Sequence, residues 1–194
     1  MIEAYQHYNA NVSSGNYPIS IQLAEYLYGL CWRVKPTRIL DRGSGFSSFV
    51  FRRYAKMRNC TPSMLSIDRW RWLDIFTVDK KEQWLNKTRD FIMSCGVDSY
   101  GFYTWTEFVA RQLDRKKYDL IFEDYSFPDR SKSLSKVVDM LAKDGYLILD
   151  DAHDKAYRGA IIKVAKRKNL HVEYLIDQTL DEKGRHAALI RRRN

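Results

Sequence analysis

The sequence predicts a doubly wound α/β domain whose sheet has seven strands, mostly parallel, with the last one antiparallel. Three observations predict it. Short apolar runs alternate with helical patterns, as in a parallel sheet covered on both faces. The first of these runs ends in a glycine-bearing turn that opens straight into a helix. The last two runs are joined by a polar stretch containing Asp181-Glu182-Lys183-Gly184, which reads as a hairpin connection.

Residues 1–36 read as a helical lead-in, with Pro18, Ile19 and Ser20 ahead of an apolar helix at Leu23 to Leu30. Pro36 opens the first strand, Thr37 to Asp41, which is short, apolar and ends in a carboxylate. Phe46 to Met57 follows at helical spacing through Phe49, Val50 and Tyr54. Ser63 to Asp68 reads as the second strand, again ending in aspartate. Lys80 to Cys95 is a helix on Trp84, Leu85, Phe91, Ile92 and Cys95, stopped by Gly96. Tyr100 to Trp105 is the third strand and Thr106 to Leu113 a short helix. Tyr118 to Tyr125 is the fourth strand, followed by a helix over Ser131 to Ala142 and a turn at Lys143-Asp144-Gly145. Tyr146 to Asp151 is the fifth strand, Lys155 to Lys168 a basic helix, and Leu170 to Ile176 and His186 to Arg192 the last two strands. No repeat, low-complexity tract or linker divides the 194 residues, so positions 1–194 read as one domain.

Composition removes several function classes. Hydrophobic residues at 45% and charged residues at 29% supply a full core. No stretch approaches the ~20 apolar residues that span a bilayer, so no membrane partner is expected. The N-terminus lacks the basic start and apolar run of a secretory signal. Cys31, Cys60 and Cys95 are scattered, without a Cys-x-x-Cys pair. That argues against a disulfide framework or zinc site and fits a reducing, cytoplasmic setting. The net charge of +9 suits a nucleic-acid or acidic-lipid partner. Its excess, however, gathers in Arg52-Arg53, Arg115-Lys116-Lys117, Lys166-Arg167-Lys168 and Arg191-Arg192-Arg193, beside element boundaries where charge runs face water. Nucleic acid is therefore not the favoured partner.

In open parallel sheets ligands bind beyond the carboxyl ends of the strands. Asp41, Asp68, Asp124, Asp150 and Asp151 would gather on that edge, where crowded carboxylates are costly unless something satisfies them. The sharpest segment is Asp41-Arg42-Gly43-Ser44-Gly45-Phe46-Ser47-Ser48. Gly43 and Gly45 let the backbone turn tightly and approach a ligand, and Ser47 or Ser48 can cap the helix. Asp68 can accept both ribose hydroxyls of a nucleoside cofactor. A tight turn with a capping aspartate is the plain structural alternative. Gly43-x-Gly45-x-x-Ser48 is also a degenerate dinucleotide fingerprint, which keeps an oxidoreductase as a competing reading; the antiparallel final hairpin argues against it.

A second constellation joins Asp124 with Asp150 and Asp151, followed by His153 and Asp154. Several carboxylate oxygens from adjacent strand ends are what a hard cation such as Mg²⁺ takes. A metal there would lower the pKa of a substrate hydroxyl, and His153 can take a proton as general base. Capping of loops by these acids is the alternative.

From Pro18 to about Arg192 the chain resembles the class I S-adenosylmethionine-dependent methyltransferases, especially their small-molecule O-methyltransferase branch. Asp41 to Ser48, Leu65-Ser66-Ile67-Asp68 and Tyr118 to Tyr125 carry the resemblance, together with the lead-in at Pro18 to Ser20. It implies the Rossmann-like methyltransferase fold and S-adenosylmethionine as cofactor. The residues it implies for binding are Asp41, Gly43, Ser44, Gly45, Ser47, Ser48, Asp68, Arg69, Trp105 and Asp124. Metal-dependent members carry acids at the ends of the fourth and fifth strands, which maps here to Asp124 and Asp150. Asp151 stands where asparagine is common.

The sequence departs from the pattern at Arg42, a position usually small or apolar, and at Ser47, often a third glycine. After the third strand, Thr104-Trp105-Thr106-Glu107 lacks the acid or amide that reads the adenine amine, so Trp105 is expected to stack on adenine instead. These departures leave open a cofactor-binding or nucleic-acid-associated protein of the same fold without turnover. The fourth strand runs Glu123-Asp124-Tyr125-Ser126-Phe127-Pro128, not Asn/Asp-Pro-Pro-aromatic, and no Pro-Cys pair exists. The expectation is methyl transfer to a hydroxyl of a small molecule, with Asp124, Asp150 or His153 receiving the proton.

Overall fold

A computed structural model of the chain describes residues 1–13, 18–60, 73–125 and 129–193. The strands are β1 (Arg38–Arg42), β2 (Asp74–Asp79), β3 (Phe102–Thr104), β4 (Tyr118–Glu123), β5 (Leu141–Leu149), β6 (Leu170–Tyr174) and β7 (Ala188–Arg192). They form one seven-stranded sheet in the order β3-β2-β1-β4-β5-β7-β6. β1 pairs in parallel with β2 and β4, β2 with β3, and β4 with β5. β7 inserts between β5 and β6 and runs antiparallel to both. The strand order reverses at β1, so the crevice between the carboxyl ends of β1 and β4 is the switch point where such sheets bind ligands.

The helices are α1 (Ile2–Tyr8), continued by a π-helical turn (Asn9–Ser13), α2 (Ile21–Val34), α3 (Phe46–Cys60), α4 (Glu82–Ser94), α5 (Trp105–Ala110), α6 (Asp129–Met140), α7 (Lys155–Lys168) and α8 (Ile176–Thr179). Local chemistry sets several of their ends. Ser20 Oγ accepts the Leu23 amide at 3.1 Å and starts α2. Asp154 accepts the Tyr157 amide at 2.7 Å and starts α7, while Asn169 in the left-handed region stops it. Thr104 and Glu107 form a reciprocal capping box on α5.

The core divides on the two faces of the sheet. Ile39, Ile75 and Phe122 pack with Leu27, Phe49 and Phe51 from α2 and α3. Leu40, Val78, Ile121 and Leu147 pack with Leu134, Val138 and Tyr157 from α6 and α7. Alternation along β1 therefore sends Ile39 and Asp41 to one face and Leu40 and Arg42 to the other. That split decides what each residue of the first loop can reach. Among the described residues, no helix is long and apolar enough to cross a membrane.

The structure departs from the sequence reading at several elements. The strand paired with β1 is Asp74–Asp79, with Arg38 opposite Asp74 and Arg42 opposite Val78. The expected strand Ser63 to Asp68, and Arg69 after it, lie outside the described residues. Both runs end in aspartate; Asp74–Asp79 puts Ile75, Thr77 and Val78 into the buried positions beside β1. Lys143-Asp144-Gly145 is not a turn but part of β5, which begins at Leu141 and shifts register against β4 between Tyr118 and Leu120. The last two strands pair antiparallel as expected, but their connection also contains α8.

Candidate functional site

The loop leaving β1 is laced to the end of β4. Gly43 has φ +120°, and a Cβ there would lie 2.7 Å from the Asp124 carbonyl oxygen. The Asp124 amide donates to the Arg42 carbonyl at 2.8 Å, and the Gly43 amide donates to the Val78 carbonyl at 2.9 Å. Only glycine suits both the backbone angle and the space. Gly45 faces the lead-in: a Cβ there would lie 3.6 Å from the Tyr8 hydroxyl. Tyr8 itself is buried between Phe46 and Phe91, with ring centroids 5.6 and 4.9 Å away.

Asp41 lies beneath this loop and is fully buried. It accepts hydrogen bonds from Ser47 Oγ at 2.9 Å, Ser48 Oγ at 2.5 Å and Thr77 Oγ1 at 3.1 Å. Burial pushes its carboxyl up to about 6, against the pull of those donors and of Arg52. Arg52 is also buried and donates from Nη1 to the Ser48 carbonyl at 3.2 Å and to Thr77 Oγ1 at 2.9 Å. Asp41, Ser47 and Ser48 thus form the loop's floor, their side chains committed to one another.

The end of β2 holds the loop from the side. Asp79 Oδ2 accepts the Ser44 amide at 2.9 Å and the Ser44 hydroxyl at 2.8 Å. Asp79 Oδ1 accepts the Lys81 amide at 2.9 Å. Sequence reasoning overlooked Asp79, although Asp74 to Asp79 is an apolar run ending in aspartate like the one chosen.

On the opposite face of β1, Arg42 is buried and paired with buried Glu123 at 2.6 Å, their strands being neighbours in register. Its guanidinium lies 4.7 Å from the Tyr125 ring and 5.2 Å from the Trp105 ring. Burial pushes the Glu123 carboxyl up to about 7, although Arg42 opposes the shift. Trp105 is half-buried and stacked on Phe108 at 5.6 Å. An arginine at this normally small position is therefore matched by a carboxylate one strand over and by two aromatic faces.

The second constellation comes together. Asp124, Asp150 and Asp151 each offer an oxygen within 4.8 Å of the others. Asp150 Oδ1 accepts the Asp151 amide at 2.7 Å, and Asp151 takes a left-handed backbone, φ 52°. Burial, then the charge of Asp151, pushes the Asp150 carboxyl up to about 7. Burial and Asp150 likewise raise the Asp124 carboxyl well above the usual carboxylate range. His153 Nδ1 lies 3.9 Å from Asp151 Oδ1, and its ring is 6.1 Å from His186, which stands edge-on to Tyr174.

A residue from α6 joins this cluster. Arg130 donates from Nη2 to Asp151 Oδ2 at 3.0 Å and from Nη1 to the Asp150 carbonyl at 3.3 Å. Three carboxylates are the donor chemistry a hard dication takes. As built, however, one Asp151 oxygen is held by a guanidinium and one Asp150 oxygen by an amide. Arg130 is the cation that the structure places against these acids. No sequence signal marked Arg130, because its approach depends on how α6 packs.

Of the residues expected from sequence, Asp41, Gly43, Ser44, Gly45, Ser47, Ser48, Asp124, Asp150, Asp151 and His153 lie along the carboxyl edge. Trp105 stands on the neighbouring α5 turn, and Asp68 and Arg69 are outside the described residues. A groove of about 630 Å³ between α2 and the β5-β7-β6 side of the sheet, lined by Tyr26, Arg33 and Arg191 among others, includes none of them.

No protein-family model matches the chain, and no curated protein matches it. Solved structures do. An O-methyltransferase from Bacillus cereus in complex with SAH is 16% identical, over 97% of this chain and 88% of that one, with a TM-score of 0.68. The O-methyltransferase TomG from Streptomyces achromogenes, involved in tomaymycin synthesis and bound to SAM, is 15% identical over 100% and 89%, with a TM-score of 0.68. The SAH-bound methyltransferase PaMTH1 from Podospora anserina is 15% identical over 100% and 87%, with a TM-score of 0.70. At these identities the likeness is one of architecture, and it is specific: the chain has the Rossmann-like fold of the class I methyltransferases.

Proposed function

We propose that the chain is an S-adenosylmethionine-dependent methyltransferase acting on a hydroxyl of a small molecule, working in the cytoplasm as one unit over residues 1–194. The observation that carries this reading is the Gly43 turn. It is pressed against the backbone of Asp124 at the point where strand order reverses, and the acid ending β2 braces it. Glycine at both turning positions lets the loop bend closely between the end of β4 and Tyr8 of the lead-in.

In this reading Gly43, Ser44 and Gly45 hold the amino-acid portion of the cofactor, and Asp41, Ser47 and Ser48 keep the loop in shape from below. Asp79 takes the ribose role first assigned to Asp68. Trp105 offers its ring to the base, with buried Arg42 packed behind it. S-adenosylmethionine, when bound, supplies an electrophilic methyl group on a sulfonium. The protein's remaining tasks are to place the acceptor oxygen in line and to receive its proton. Asp124 and Asp150, with carboxyls raised toward neutrality by burial, are suited to receive it, and His153 lies beside them.

The experiment is methyl transfer from labelled S-adenosylmethionine to a panel of hydroxyl acceptors. An acceptor should be found, and Asp150→Asn should lower its turnover about 10²–10⁴-fold, the usual share of a positioned base. Full turnover in both Asp124→Asn and Asp150→Asn would make these acids loop caps. The nucleic-acid alternative rests on the basic clusters alone, and Arg52 of the first is buried beneath the Gly43 loop, bonded to the Ser48 carbonyl and Thr77.

A further inference from the structure

We propose that Arg130 is the resident counter-cation of the Asp124, Asp150 and Asp151 cluster, a positioning residue standing where a divalent ion would otherwise be held. The inference deepens the methyltransferase reading for this edge, but its evidence is the geometry of the cluster itself.

Arg130 is only 8% exposed, and it leaves the first turn of α6 across the face of buried Tyr157, 5.2 Å from the ring centroid. That contact fixes the side chain's course, so little freedom remains to be lost when its far end binds. Its two terminal nitrogens divide between a side chain and a backbone, Asp151 Oδ2 at 3.0 Å and the Asp150 carbonyl at 3.3 Å. One donor neutralises a charge, and the other fixes the strand end that carries it. Asp151 presents its carboxylate from a left-handed backbone that non-glycine residues seldom adopt, and the Asp150 carboxylate steadies that turn through the Asp151 amide. The pieces are mutually dependent.

A guanidinium cannot give up its proton in a protein, so the positive charge is permanent. A dication entering among oxygens that lie within 4.8 Å of one another would meet that charge at close range. It would also find one Asp151 oxygen and one Asp150 oxygen already engaged. The three acids are thereby kept together without an ion, and proton transfer at this edge is left to side chains.

Manganese(II) is the probe, titrated into the full chain without cofactor or acceptor and followed by its paramagnetic resonance signal. Wild type should take up no Mn²⁺ in the micromolar range. Arg130→Gln should bind one Mn²⁺ at least about tenfold more tightly, because a charge a few ångströms from the site has been removed. Adding Asp151→Asn should abolish the gain, and Arg130→Lys, which keeps the charge, should remain like wild type.

A micromolar Mn²⁺ site in wild type overturns the proposal, as does a folded Arg130→Gln that gains no affinity. Should Arg130→Gln be unfolded by itself, thermal melts with millimolar MnCl₂ decide. Recovery of a folding transition by the variant, with no response from wild type, supports the proposal through ligand linkage, and continued absence of folding overturns it. None of these readouts needs methyl transfer, so failure to find an acceptor would count against the enzyme reading and not against this one.

Discussion

Asp79 Oδ2 accepts both the amide and the hydroxyl of Ser44, at 2.9 and 2.8 Å, so the end of β2 fixes the turn that leaves β1. Asp79→Asn should therefore weaken S-adenosylmethionine binding by about 1.5–3 kcal/mol, the scale for hydrogen bonds to a charged group. Asp68→Asn should leave it unchanged. Calorimetric titration of both variants checks this, and a loss confined to Asp68→Asn would return the ribose role to that residue.

Gly43→Ala places a methyl group 2.7 Å from the Asp124 carbonyl on a backbone at φ +120°. The loop and the end of β4 must then separate. Stability should fall by about 1–3 kcal/mol, and cofactor affinity should fall with it. Urea unfolding and the same titration provide the measurement; an alanine variant with wild-type affinity would show that this close approach does not shape the site.

Arg42 and Glu123 are both buried and 2.6 Å apart. Removing one charge strands the other, so Arg42→Met should cost about 3–5 kcal/mol, and the double variant Arg42→Met with Glu123→Gln should recover much of that loss. A double-mutant cycle by denaturant unfolding reads the coupling. Additive losses would mean that the pair is not coupled.

The folded state raises the Asp150 carboxyl from 3.8 to about 7, through burial and then the charge of Asp151, with Arg130 and Arg185 opposing. The folded chain then binds more protons than the unfolded one between those values. The stabilisation is complete below about pH 4 and is lost as pH rises through 7. Asp41, raised to about 6, and Glu123, raised to about 7, act with the same sign. The wild-type melting temperature should fall between pH 5 and 8. Asp150→Asn should flatten that fall and melt higher than wild type at pH 8. A steeper decline in the variant would contradict the assignment.

The alternation of apolar runs and helical patterns made the parallel sheet legible, and the basic run Lys155 to Lys168 coincides with α7. The Gly43 turn and the acids at the ends of β4 and β5 were legible because each sits at a strand terminus, where position along the chain dictates position in space. Asp79 was overlooked in favour of Asp68. Both end apolar runs, and the Asp79 partner Ser44 lies far away in sequence. Arg130 and Tyr8 were not legible at all, since each reaches the edge through helix packing. Arg42 looked like a defect in a motif and is explained by Glu123, a neighbour only once β1 and β4 pair.

Side-by-side calorimetric titration with S-adenosylmethionine, S-adenosylhomocysteine and NAD tests most directly whether this edge binds S-adenosylmethionine. Saturable one-to-one binding of the first two is expected, weakened in Gly43→Ala and Asp79→Asn, with no binding of NAD. Binding of NAD without either adenosyl ligand would contradict it and move the Gly43 turn to a dinucleotide.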